Sequence, residues 1–180
     1  VNKWGNPGWK FLHTITFNYP NNPTDYDKER YTNFFTNVGQ MLPCKYCRDS
    51  YNIYIKYLKI DDFLDSREGV TYWLYRLHNL VNKKIYKDNI NFLDIINEYE
   101  SYRAKCSNDY KDGDKNKIFK SCNKDVFDRN HNNDIFYRNT ILKFKDKIDE
   151  IEKVLYKAQD NPNKLCEKYN QSNIYYIKYL

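Results

Sequence analysis

The segment Pro43-Cys44-Lys45-Tyr46-Cys47 has the clearest capacity for chemistry in this sequence. Two residues separate the sulfurs, so a disulfide between them closes a short ring that opens and closes easily. Helical spacing begins at the pair itself, which places it at the mouth of a helix. A helix N-terminus offers unsatisfied N–H groups and about half a positive charge, both of which favour a thiolate. A cysteine in that first turn has a lowered pKa and reacts readily. A C-x-x-C is also half of a zinc site, but the second C-x-x-C of a zinc ribbon is absent. His13, His78 and His131 are too scattered to complete a Cys2His2 set, so no metal is expected. A thioredoxin-type site needs a βαβ setting, and no alternating strand pattern surrounds this pair.

A second constellation is Leu77-His78-Asn79-Leu80-Val81-Asn82-Lys83-Lys84. On a helix His78 and Asn82 share a face, with Asn79 beside them. Polar groups inside an otherwise apolar stripe need partners. They can satisfy one another, as an isolated core histidine usually does, or they can line a pocket for a planar polar ligand. The N-terminal segment repeats the theme: Trp4-Gly5 precedes Trp9 and His13, which again share a helical face. Each motif alone reads as core. Beside a redox dithiol, they read together as the walls of a cofactor pocket.

These residues need helices to hold them, and the apolar spacing supplies them. Residues 8–18 carry Trp9, Leu12, His13 and Thr16 on one face. Residues 27–42 carry Tyr31, Phe34, Phe35, Val38, Met41 and Leu42, and residues 45–59 carry Cys47, Tyr51, Tyr54 and Leu58. Residues 67–86 carry Val70, Trp73, Leu74, Leu77, Val81 and Ile85, with Ser66 as the expected N-cap. A shorter helix is expected over 91–104, with Phe92, Ile95, Ile96, Tyr99 and Tyr102. Breaks fall at Tyr19-Pro20 to Pro23, at Leu42-Pro43 and around Asp61 to Ser66. The expected fold is all-α: a four-helix bundle with a short fifth helix at one end. From Ser107 the texture turns polar and aperiodic as far as residue 133. A further helix is expected over 134–159, with Ile141, Phe144, Ile148, Ile151 and Leu155 as its stripe. The sequence therefore divides into a first domain over 1–106 and a C-terminal, mostly helical module over 107–180, whose role it does not disclose.

The 180 residues suit one medium domain or a small domain with an appendage. Aromatic residues make up 18% of the chain, so the core is ring-rich, and only 5 Gly and 5 Pro disfavour an all-β sandwich. Net charge is +6, from 30 basic and 24 acidic residues without a long single-sign block. That pattern describes a solvated mixed surface, and no nucleic-acid partner is expected. No apolar run approaches the ~18 residues that would cross a bilayer. The opening VNKWGNPGW lacks the apolar stretch of a signal peptide and an initiator Met.

Trp4-Gly5-x-x-x-Trp9-x-x-Leu12-His13, Tyr19-Pro20, Pro43-Cys44-x-x-Cys47, Trp73-Leu74 and His78-Asn79-x-Val81-Asn82 stand in the order and spacing of the Erv/ALR sulfhydryl oxidases. The chain resembles that family over residues 4 to about 104, and its Tyr99-x-x-Tyr102-Arg103-Ala104-x-Cys106 ending looks most like members encoded by large DNA viruses, the giant viruses included. The resemblance implies noncovalently held FAD, thiol-containing protein substrates, O2 as electron acceptor with H2O2 as product, and a homodimer. It implies Cys47 as the sulfur beside the flavin and Cys44 as the interchange thiol. It carries over Gly5, Trp9, His13, Tyr75, His78, Asn79, Val81, Asn82 and Lys84 as flavin-lining positions. Tyr99 or Tyr102 would replace a tryptophan that some members carry on the fifth helix. The chain departs from the pattern in its distal cysteines. Cys106 comes late and could pair with Cys122 or with Cys166, and no second C-x-x-C exists to act as a shuttle. The chemistry leaves the compartment open; for a viral member it would be the host cytoplasm, the virus factory or the virion.

Overall fold

The computed structural model describes residues 3–102 and 126–159, with side chains of the last stretch described over 132–157. Cys106, Cys122 and Cys166, whose pairing the sequence leaves open, lie outside the described residues, as does the apolar ending at 174–180. The described residues are all helical apart from turns, with no strand among them: α1 (Gly5–Phe17), α2 (Asp25–Met41), α3 (Lys45–Tyr57), a 3-10 turn (Ile60–Phe63), α4 (Arg67–Lys84), α5 (Phe92–Tyr102) and α6 (Val126–Gln159). The all-α fold expected from the spacing is the fold observed.

Local chemistry sets most boundaries. Thr24 caps α2 through a reciprocal capping box, its hydroxyl accepting from the Asp27 N–H while the Asp27 carboxylate accepts from the Thr24 N–H at 2.9 Å. Ser66 caps α4 as expected, accepting from the Gly69 N–H at 3.2 Å. Two helices begin earlier than periodicity indicates. α1 starts at Gly5 rather than residue 8, because Pro7 falls in the first turn, where a missing N–H costs nothing. α6 starts at Val126 rather than residue 134, so part of the polar stretch is helical.

The helices are held by rings whose polar ends find backbone carbonyls. Trp73 of α4 is fully buried, meets Phe35 of α2 edge-on at 5.0 Å, and donates its indole N–H to Leu58 O at 2.8 Å. Tyr51 of α3 donates to Phe35 O at 2.8 Å, and Tyr31 of α2 to Ile15 O at 3.1 Å. Tyr19 reaches Leu64 O at 2.7 Å. A buried ring with a satisfied hydroxyl or indole contributes apolar burial without a stranded donor. Gly69 permits the close approach of α4 to the 3-10 turn: a Cβ there would lie 2.2 Å from Phe63 O.

α6 lies against α4 and α5. Its Phe144, Ile148 and Leu155 are buried in the same apolar cluster as Trp73, Leu74 and Ile96. Arg76 of α4 latches it, pairing through both nitrogens with Glu152 at 2.8 and 2.7 Å and with Asp149 at 3.1 Å. Lys83 sits over the Tyr156 ring at 3.6 Å, and Asn133 donates to Asn97 of α5 at 2.9 Å.

Candidate active site

Cys44 is the N-cap of α3 and Cys47 sits in its first turn. Pro43 ends the preceding segment, and Arg48 reaches back to donate to Leu42 O at 2.5 Å, fastening the approach to the helix. The Cys44 carbonyl accepts from the N–H groups of Cys47 and Arg48 at 3.1 and 3.0 Å. Both thiols are free and half-buried. Their ionisation differs sharply. For Cys44, burial acts to raise the pKa, but hydrogen bonds from the Cys47 thiol and from the Cys47 and Tyr46 N–H groups outweigh it, and the net shift is downward. For Cys47, burial, the hydrogen bond it gives Cys44 and the adjacent sulfur charge push the thiol up to about 11, against the pull of Lys84. Cys44 is thus the more readily ionised sulfur of the reduced pair, and Cys47 the one that holds its proton more tightly.

Lys84, the last residue of α4, brings a cation to the first turns of α3 by donating to Ser50 Oγ. Burial lowers its pKa, and Cys47, Cys44 and Asp49 act in the opposite direction. Ser50 is buried and in turn donates to Tyr46 O at 2.7 Å. Ser50 and Arg48 are site residues that sequence reasoning missed. Neither has a motif, and their roles appear only once α4 and the preceding loop are folded against α3.

A ring cluster joins α1, α4 and α5. Trp9 stacks on His78 with centroids 3.9 Å apart and planes 11° off parallel. His13, fully buried, shares a hydrogen bond with His78, Nε2 to Nδ1, at 3.1 Å. Burial, then the neighbouring His78, holds His13 well below the ordinary imidazole range; burial, then Lys87, holds His78 at about 4. Both are therefore neutral at physiological pH. Tyr99, not the exposed Tyr102, packs against His13, at 5.0 Å. The buried Nδ1 of His13 has no hydrogen-bond partner. Leaving such an atom unsatisfied costs about 1–3 kcal/mol, so a flat ligand with a polar edge fits the chemistry of this cluster.

Of the remaining sequence-derived positions, Tyr75, Asn79, Val81 and Asn82 lie on α4 with His78, and Gly5 lies on α1. Gly5 opens α1, Val81 packs on the core from a half-buried position, and Asn82 is buried near the end of α4. The Asn79 amide is occupied by the backbone of Ile90, donating to its O at 3.3 Å and accepting from its N–H at 3.0 Å. Tyr75 packs against Tyr72 and Phe92 at 5.6 and 4.9 Å. Among the described residues no group of three His, Cys, Asp or Glu is placed to hold a metal, and no helix is long and apolar enough to cross a membrane.

An all-helical bundle with a dithiol at one helix mouth and an imidazole–indole cluster between its first and fourth helices defines the class. Residues 6–100 match the Erv1/Alr family, and the chain belongs to it. It is 43% identical over 81 residues to a probable FAD-linked sulfhydryl oxidase of Acanthamoeba polyphaga mimivirus, covering 44% of this chain and 57% of that protein. It is 32% identical over 87 residues to the mitochondrial FAD-linked sulfhydryl oxidase ERV1 of Saccharomyces cerevisiae, covering 48% of this chain and 45% of that protein. The chain thus spans about half the length of the curated relatives it matches. Among solved structures, the FAD-binding domain of Saccharomyces cerevisiae Erv1 superposes with a TM-score of 0.53 at 28% identity, over 56% of this chain and 94% of that one. The yeast Erv1 core gives the same TM-score and identity over 83% of its length.

Proposed function

We propose that this protein is an FAD-dependent sulfhydryl oxidase that forms disulfides in protein substrates. The observation that carries the reading is the Cys44–Cys47 pair at the mouth of α3, with Lys84 reaching the first turns of that helix through Ser50. Family membership and the names of the relatives support the flavin. Trp9, His13 and His78 would hold its flat rings, the unpartnered His13 Nδ1 giving it a polar contact, with Asn82 and Lys84 on the same helix. Gly5, Tyr75, Asn79 and Val81 remain proposed contacts by family position.

In the oxidised protein, a substrate thiolate attacks Cys44 Sγ. The Cys44–Cys47 bond breaks, a bond to the substrate sulfur forms, and the electron pair departs on Cys47. A second substrate thiolate attacks the substrate sulfur of that mixed disulfide and releases Cys44 as a thiolate. The products are a substrate disulfide and a reduced Cys44–Cys47 pair. Bound FAD would supply a two-electron acceptor that returns the pair to the disulfide and delivers the electrons to O2 as H2O2. His13 and His78, both neutral, place no second positive charge in the pocket. A homodimer is proposed on family grounds.

The test is the visible spectrum of the purified protein together with its oxidation of dithiothreitol. Wild type is expected to be yellow and to consume O2, whereas Cys47→Ser keeps the colour and loses turnover. Folded protein that contains no flavin and takes up none when it is offered would overturn the reading.

A further inference from the structure

The contact between Ser50 and Lys84 is not explained by packing alone. Ser50 lies one helical turn beyond Cys47, so its side chain stands on the same face of α3. It is 4% exposed, and both faces of its hydroxyl are used: it donates to Tyr46 O within the dithiol loop and accepts from Lys84 Nζ. The lysine comes from the far end of α4 and gives up part of its hydration to reach that oxygen. A lysine at a helix C-terminus gains from the helix dipole when it stays in water. Burying it against a neutral hydroxyl is unfavourable unless a negative charge appears nearby. The anionic groups that face it are the two sulfurs and the exposed Asp49, and Asp49 already pairs with Lys45 at 2.9 Å. The sulfurs are therefore the charges this ammonium is placed to meet.

We propose that Ser50 and Lys84 are a positioning pair for the dithiol: Ser50 Oγ anchors the Lys84 ammonium beside Cys47, where it stabilises the sulfur anion that departs when the Cys44–Cys47 disulfide is opened. This deepens the oxidase reading and rests on it for its biological purpose. The electrostatic effect on Cys47 is measurable without any turnover. When a thiolate attacks Cys44, the leaving electron pair settles on Cys47 Sγ, no proton moves in that step, and no external oxidant is required. A lower proton affinity at the leaving sulfur speeds the step. Ser50 acts through Lys84, since it touches neither sulfur by any hydrogen bond in the structure.

The experiment measures the pH profile of Cys47 alkylation by iodoacetamide in the full chain carrying Cys44→Ser, followed by peptide mass spectrometry. The replacement removes the competing thiol. Lys84→Met in that background is expected to raise the Cys47 pKa by about one unit and, after the greater reactivity of the more basic sulfur is allowed for, to slow alkylation at pH 8 about threefold. Ser50→Ala is expected to slow it about twofold by freeing the lysine, and Ser50→Thr, which keeps the hydroxyl, to restore the parent rate. A purely structural serine would change thermal stability without moving the profile. Coincident profiles for the parent, Ser50→Ala and Lys84→Met overturn the proposal. If Lys84→Met does not fold, Ser50→Ala against Ser50→Thr decides it alone. The colour of the parent, in which Lys84 is intact, reports on flavin separately, so a colourless parent whose variants still shift the profile would sink the oxidase reading and leave the pairing intact.

Discussion

Acidification from pH 7 to pH 5 is expected to destabilise this fold through two imidazoles, the buried His13 and the half-buried His78. His78 is held at about 4 by burial and by Lys87, while the unfolded chain takes up its proton near the ordinary 6.5. His13 is displaced in the same direction by burial and by His78. Between these values the unfolded state binds protons that the native state refuses, so stability falls as pH drops below about 6.5 and the loss for His78 levels off near 4. At pH 5 the unfolded His78 is almost fully protonated and the native one is not. The resulting loss is about 2 kcal/mol from this residue alone, at about 1.4 kcal/mol per pH unit. With a urea slope of about 2 kcal/mol/M, the midpoint moves down by about 1 M. Asp27, Asp65 and Asp149 are held below the ordinary carboxylate range by their hydrogen bonds and cations and stay ionised across this window, so they do not contaminate the reading. The assay is urea unfolding at the two pH values for wild type and for His78→Gln, which keeps a polar partner for His13. Wild type should lose the stated stability and the variant should lose markedly less. Equal wild-type midpoints at pH 7 and pH 5 would refute the claim that both imidazoles stay neutral in the folded protein.

Reduced protein labelled with limiting iodoacetamide at pH 8 should be modified at Cys44 first. With Cys47 at about 11, its thiolate fraction is about a thousandth, while the Cys44 thiol is shifted down by its hydrogen bonds, and the resulting preference for Cys44 is read by peptide mass spectrometry. Gly69→Ala should cost more stability than Gly39→Ala in thermal unfolding. The new methyl at 69 meets the Phe63 carbonyl, which is backbone, whereas at 39 it meets the side chains of Asn52 and Tyr51, which can yield for about 1–3 kcal/mol. Arg76→Ala should destabilise the α4–α6 contact by about 2–4 kcal/mol, because Glu152 and Asp149 are left without their shared cation. Limited proteolysis should then cut within α6 before it cuts within α3 or α4.

The helices of the bundle were legible because the apolar stripes at Phe34, Val38 and Trp73, Leu77 repeat at helical spacing, and because Ser66 carries a local capping signal. The early start of α1 was not legible, since Pro7 and Gly8 look like breakers until their place in the first turn is known. The first two turns of α6 were hidden for a related reason: residues 126–133 carry little apolar periodicity, and the apolar stripe that anchors this helix begins only after them. Within the site, Cys44, Cys47, His13, His78 and Trp9 stood out because their types are costly to bury or chemically distinctive. The structure brings the last three together and leaves Tyr75 and Asn79 against other partners. Ser50 could not be found from sequence, because its importance depends on a lysine 34 positions away.

The latch between Arg76 and α6 has a practical consequence for anyone trimming the chain to its recognisable part. The family match ends at residue 100, but the buried rings of Phe63 and Phe92 pack against Phe144 and Tyr137 of a helix that lies beyond that point. A fragment cut after Tyr102 would present those rings as a sticky face with an unneutralised guanidinium at its centre. It should pellet or self-associate where the longer chain stays dispersed.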